Sequence, residues 1–143
     1  MGSEHIVVGV DGSAASRRAL AWAVEQAGRI GATVEAVHAW APPELGPDTV
    51  SKALVGSGDC ERAAGRELGL VVDGADASRL AAPVARTLVT GDAARVLVAA
   101  ADGADLLVVG GRGLDGPGGT GVGPVAEALV GAVRCPVVVV PAG

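Results

Sequence analysis

The chain predicts a doubly wound α/β domain built on a parallel sheet, and three observations carry that prediction. Short apolar runs alternate with amphipathic helical patterns along the 143 residues. The runs are continuously apolar, as strands covered on both faces require. Parallel neighbours also need a crossover between them, and a helical pattern follows every run except the last.

The first strand is Ile6–Val10. Ser13 is placed to cap a helix that continues to about Ile30. Ala19, Leu20, Ala23, Val24, Ala27 and Ile30 recur at helical spacing and are expected to face the core, with Arg18, Glu25, Gln26 and Arg29 opposite. Trp22 falls with the charged set, which leaves it two roles, partial cover of the helix surface or an interface. Gly31 ends the helix, and Thr33–Ala39 is the second strand. Prolines make 41–47 a loop. The stretch 48–80 holds helix-like pieces at 49–55 and 59–72, interrupted by Gly56-Ser-Gly58. Val84–Val89 is the third strand, and Asp92 opens a helix that ends near Ala101. Ala104–Val109 and Val137–Val140 are the fourth and fifth strands, with a helix from Pro124 to about Ala132 between them. No repeat or linker interrupts this order, so residues 1–143 read as one domain.

Composition narrows the partners. Half of the residues are apolar, yet Phe and Tyr are absent and Trp22 and Trp40 are the only aromatics. That suits close helix-on-sheet packing and gives no stacking platform for single-stranded nucleic acid. A net charge of −5, with Lys52 the only lysine, argues against a protein that grips a phosphate backbone. Cys60 and Cys135 make no disulfide framework and fit a reducing compartment. The start of the chain reads as a first strand rather than a signal peptide. No apolar run approaches the roughly 18 residues of a membrane span. A soluble, cytoplasmic protein without nucleic-acid or membrane partners is the expectation.

The densest local signal is the loop after the fourth strand. Eight of the fourteen residues from Gly110 to Gly123 are glycine. A glycine-rich loop between a strand and a helix start lets backbone N–H groups approach an anion, usually a nucleotide phosphate. A flexible surface connection is the alternative, and the loop alone does not separate the two. Gly111-Arg-Gly-Leu-Asp-Gly116 spells a dinucleotide fingerprint, but no helix opens at Gly116 and no acid follows about 20 residues on. The lysine of a phosphate-loop NTPase is missing as well. His5, His38, Cys60 and Cys135 have no metal-ligand spacing, and His38 reads as a hydrogen-bonded strand residue. No nucleophile, base and orienter stand together, so the expectation is a protein with no catalytic residues that is not an enzyme.

Asp11 stands at the carboxyl end of the first strand, on the sheet edge where doubly wound folds bind ligands. Its carboxylate suits a ribose hydroxyl or a magnesium ion. Capping of nearby loop N–H groups is the structural alternative.

Four segments together resemble the universal stress protein family: Ile6-Val-Val-Gly-Val-Asp-Gly-Ser13, Thr90-Gly-Asp92, Ala104-Asp-Leu-Leu-Val-Val-Gly-Gly-Arg-Gly113 and Cys135-Pro-Val-Val-Val-Val140. The likeness spans nearly the whole chain and blurs between about 44 and 80. It implies a flavodoxin-like three-layer α/β sandwich with a parallel sheet of order 3-2-1-4-5 that forms dimers. In one branch of the family it also implies bound ATP. The nucleotide signature of that branch is Gly-x2-Gly-x9-Gly followed by Ser or Thr. Gly110, Gly113 and Gly123 keep its glycines, but Pro124 stands where the hydroxyl is expected, and Ala126 where a second often lies. The cofactor-binding residues implied are Gly9, Asp11, Ala39, Gly110, Gly111, Arg112, Gly113, Gly123 and Val125. Phosphates would lie on the loop ends and the following helix start, ribose near Asp11 and Gly110, and adenine near Ala39 and Gly9.

Two functions follow from the resemblance. One is a stress-response sensor or regulator that binds ATP or a related adenine nucleotide, with or without Mg2+, and does not hydrolyse it significantly. Its affinity is expected to be low because Pro124 removes one N–H and one hydroxyl. The other is a dimeric interaction module that binds no nucleotide. In both, Pro136–Val140 is expected at a sheet edge, open to pairing with a second copy.

Overall fold

A computed structural model describes residues 4–41, 57–78, 80, 82–111 and 124–141. Five strands form one parallel sheet: β1 (His5–Gly9), β2 (Thr33–Trp40), β3 (Ala85–Thr90), β4 (Leu106–Gly110) and β5 (Val137–Val140). Their order is β3-β2-β1-β4-β5, as the sequence predicts. Among the described residues, four helices alternate with them: α1 (Ala14–Ile30), α2 (Ser57–Asp73), α3 (Ala93–Ala101) and α4 (Pro124–Val130).

The strands sort their side chains by alternation. Ile6, Val8, Val34, Ala36 and Val108 pack with Leu20, Ala23 and Val24 of α1 and Leu68, Val71 and Val72 of α2. Val7, Val37, Leu107 and Val109 face the other way, onto Val96 and Leu97 of α3 and Ala126 and Leu129 of α4. Both layers are built from small and branched aliphatics, which lets the helices sit close to the sheet. Val7, Val8, Leu107 and Val108 are fully buried. This explains why β1 and β4 read as unbroken apolar runs.

Local signals set the helix ends. The Ser13 hydroxyl accepts from the Ser16 N–H at 3.1 Å and caps α1. Gly31 closes that helix in the left-handed region at φ 74°, with its N–H returned to the Ala27 carbonyl. Asp92 caps α3 by accepting from the Arg95 N–H at 3.2 Å. Cap and strand positions match the sequence prediction to within two residues.

Three expectations change. Ile30 shares the core periodicity of α1 but is 56% exposed. Periodicity gives the direction of a side chain, and a residue in the last turn has a core to meet only if the sheet extends beneath it. The helix predicted over 59–72 covers Ser57–Asp73, and the last helix stops at Val130 rather than Ala132. The helical piece predicted at 49–55 lies outside the described residues. Trp22 is half-buried against the α1 side of the core, the first of its two predicted roles.

The chain visits β2 and β3 on one side of β1, then β4 and β5 on the other. Strand order therefore reverses between β1 and β4, and a crevice opens above their carboxyl ends. Among the described residues, no helix is long and apolar enough to cross a membrane. Ser13→Ala should lower the unfolding free energy by about 1 kcal/mol through loss of the α1 cap. A urea midpoint that falls at constant slope is the expected result, and an unmoved midpoint would rule out the cap as a stabilising contact.

Candidate functional site

The carboxyl edge begins where β1 stops. The last β1–β2 pair is Gly9 with Val37, whereas β2 and β3 stay paired to Trp40 and Thr90. β2 thus runs past the end of its neighbour. Trp40 sends its carbonyl toward β3, where it accepts from the Gly91 N–H at 2.8 Å. Successive residues of a strand direct their backbone groups to opposite sides, so those of Ala39 face the space above β1. A regular ladder would carry the Ala39 N–H to the Val10 carbonyl, but no such backbone bond is made. The Val10 carbonyl instead accepts from Nδ1 of His38 at 2.7 Å. Ala39 therefore presents a backbone donor and acceptor to the crevice.

Asp11 is exposed on this edge. Its Oδ1 accepts from the Ser13 N–H at 2.9 Å, which is the predicted capping role. The Asp11 N–H in turn donates to the Ser16 hydroxyl at 3.3 Å. The turn fixes the carboxylate through one oxygen and leaves the other oxygen available.

The glycines at this edge have packing reasons of their own. A side chain on Gly9 would meet Leu97 Cδ1 at 2.8 Å and Val109 Cγ1 at 3.2 Å. One on Gly110 would meet the Ala15 carbonyl carbon at 2.6 Å and the Ser16 nitrogen at 2.8 Å. Gly110 is thus the point at which the first turn of α1 rests on β4. Gly111 is buried, and its N–H donates to the Val140 carbonyl at 2.8 Å, which ties it to β5. Val125 lies in the first turn of α4, 37% exposed. Pro124 is the first residue of that helix, where a fixed φ and a missing N–H are both tolerated. Arg112, Gly113 and Gly123 lie outside the described residues.

One group here has no signal in the sequence. Glu67 of α2 reaches over the turn after β1, so that a Cβ on Gly12 would lie 1.8 Å from its Oε1. Gly12 itself holds φ at +82°, a conformation that favours glycine. The other Glu67 oxygen lies 3.5 Å from His38 Nε2. His38 is buried as expected, at 7% exposure, and its two ring nitrogens connect the end of β1 to α2.

A second groove lies at the opposite, amino edge of the sheet, between the ends of α3 and α4, and is lined by Asp102, Asp105, Arg134 and Cys135. There Asp105 accepts from the His5 N–H at 2.8 Å and so joins β1 to the turn before β4. Doubly wound sheets bind ligands at the other edge. Among the described residues, no three His, Cys, Asp or Glu side chains converge as a metal site would require.

A parallel sheet that reverses its strand order between β1 and β4, with helices on both faces, defines a doubly wound α/β domain. The sequence profile of the Universal stress protein family matches residues 2–141, and the chain belongs to that family. A universal stress protein of Mycobacterium bovis is 34% identical over 134 residues, which cover 94% of this chain and 44% of that protein. The chain thus spans less than half the length of this curated relative. A universal stress family protein from Burkholderia pseudomallei has the same fold, with a TM-score of 0.69 at 31% identity over 99% of both chains. Another universal stress protein, solved in complex with cAMP, gives a TM-score of 0.64 at 26% identity over the whole of both chains.

The contacts at Gly9 and Gly110 give different expectations. Gly110→Ala must push against the backbone of α1 and should destabilise the fold by about 1–3 kcal/mol. Gly9→Ala meets side-chain ends that can rotate, so it should cost less. Chemical denaturation of both variants checks the order, and a larger loss at Gly9 would contradict the packing described.

Proposed function

We propose that this universal stress protein binds an adenine nucleotide, ATP by its glycine signature, at the carboxyl edge of β1 and β4. It then serves as a cytoplasmic stress-response sensor or regulator without significant hydrolysis. The observation that carries the proposal is the end of β1, where Ala39 has open backbone groups and Asp11 an oxygen free of the turn at the same edge of the sheet. An adenine edge needs a neighbouring donor and acceptor, and Ala39 offers both. A ribose needs an acceptor, and Asp11 offers one. The relative solved with cAMP supports an adenine nucleotide as the class of ligand.

The phosphates belong on the loop side. Gly111 uses its N–H for β5 and Gly110 receives α1, so Arg112, Gly113, Gly123 and the first N–H groups of α4, from Val125 on, are left to hold them. Pro124 supplies neither N–H nor hydroxyl. A hydrogen bond to a charged group contributes about 1.5–3 kcal/mol, and each 1.4 kcal/mol is tenfold in affinity. Wild type should therefore bind Mg·ATP weakly in calorimetry, and Pro124→Ser should tighten binding roughly tenfold or more. Asp11→Ala should weaken it. No heat from either wild type or Pro124→Ser at millimolar Mg·ATP would reject the nucleotide reading.

A second reading, a dimeric interaction module without nucleotide, has its own support. Gly9 and Gly110 are needed for packing whether or not a ligand binds. β5 is an edge strand whose valines are all half-buried, and Val130 of the adjoining α4 is 59% exposed. An open edge of this kind invites a second copy under either reading. Pro136 and Val140 give their carbonyls to β4, so the backbone of Val139 points outward. Val139→Pro removes an outward N–H and leaves the inner ladder intact. Light scattering should give twice the chain mass for the wild type and a shift toward monomer for Val139→Pro. A monomeric wild type at tens of micromolar would exclude the dimer.

A further inference from the structure

We infer that Glu67 and His38 form the sugar-side wall of this site, with Glu67 accepting a hydrogen bond from a ribose hydroxyl and His38 holding it in position. The inference rests on the adenine-nucleotide reading above and extends it to residues outside the glycine signature.

The argument starts from the two ends of the His38 ring. A carbonyl can only accept, so the 2.7 Å contact with Val10 requires a hydrogen on Nδ1. That bond, made at 7% exposure, fixes the ring plane and turns Nε2 toward α2. One Glu67 carboxylate oxygen stands 3.5 Å from that nitrogen, and the two attract when the ring carries a second hydrogen, on Nε2, and donates it to the carboxylate. Its other oxygen rests over the backbone of Gly12, in space that any residue with a side chain would occupy. A glutamate on an exposed helix surface ordinarily turns into water. This one is drawn back onto the β1–α1 turn, with its side chain still 47% exposed.

Asp11 immediately precedes Gly12, so carboxylates flank that glycine on both sides. Two anionic acceptors repel phosphate and attract hydroxyl donors. The ribose is the part of an adenine nucleotide that carries neighbouring hydroxyls. Adenine at Ala39 and phosphate toward α4 would leave the ribose between them, over Gly12. Asp11 and Glu67 then share the two hydroxyls. His38 touches neither and acts as a positioning residue for Glu67.

The test compares binding of ATP with that of 2′,3′-dideoxy-ATP, which lacks both ribose hydroxyls, by calorimetry on the whole chain. Wild type should prefer ATP by tenfold or more. Glu67→Ala should reduce that preference about tenfold and leave the affinity for dideoxy-ATP unchanged, while Glu67→Gln should keep part of it. His38→Leu should act like Glu67→Ala, and the double variant should lose no more than either single one. His38→Gln, which retains a donor toward Glu67, should restore the preference in part. A His38→Leu protein that fails to fold leaves the decision to the two Glu67 variants, since that side chain is half exposed. An unchanged preference in Glu67→Ala, alongside normal ATP binding, would overturn the inference and leave the nucleotide reading standing. Binding of neither compound by wild type would overturn the nucleotide reading, and this wall with it. Additive losses in the double variant would remove the positioning role of His38.

Discussion

The first turn of α1 comes down directly on the end of β4, and the rest of the carboxyl edge depends on that contact. Gly110 admits the Ala15 carbonyl carbon and the Ser16 nitrogen to within the radius of a missing side chain. Because the helix sits so low, its cap can be shared with the turn before it. Ser13 caps Ser16, Ser16 donates back to the Ser13 carbonyl and accepts from the Asp11 N–H, and Asp11 accepts from the Ser13 N–H. Three short polar residues are therefore tied together by four hydrogen bonds without a ligand. A site on such a turn is largely pre-organised, which limits the entropy lost on binding.

Unequal strand lengths make the crevice. β2 continues to Trp40 while β1 stops at Gly9, and the overhang leaves the Ala39 backbone groups without a neighbour on that side. Buried backbone groups are normally paired. The His38 ring meets that need at Val10 and so ends the β1–β2 ladder with a side chain instead of a further strand residue. The same ring reaches Glu67 and connects α2, which follows the least legible part of the chain, to the central turn. Fold and site share one set of contacts here, and changes at Val10, Gly12 or His38 would be felt in both.

The glycine pattern at the end of β4 has two causes that sequence cannot separate. A phosphate site and a close helix contact both demand the absence of a side chain. Gly9 and Gly110 meet packing demands from Leu97 and from α1, and the buried Gly111 gives its N–H to β5. This divides the signature: its first glycine holds the fold, and under the nucleotide reading an anion would fall to the later ones. Pro124 favours the start of α4, and under the nucleotide reading it would withhold two hydrogen bonds from a phosphate, so that helix stability and ligand affinity would oppose each other at that residue.

The sequence by itself determined the alternation of strands and helices, the two helical layers, the Ser13 and Asp92 caps and the Gly31 stop. Those features come from periodicity and from residues acting within a turn or so of themselves. It also marked Asp11 and Ala39, because strand ends at a switch point can be found from the alternation of elements. It placed Ile30 in the core wrongly, since spacing along a helix carries no information about where the sheet beneath it ends. Only the tertiary structure decided that Gly9 and Gly110 are filled by neighbours, that His38 ends the β1–β2 ladder, and that Glu67 lies over Gly12. Glu67 is 55 positions from Gly12 in a helix with many charged residues, and nothing local distinguishes it from them. Its place follows from the crossover that lays α2 over β2 and β3, a long-range consequence of packing.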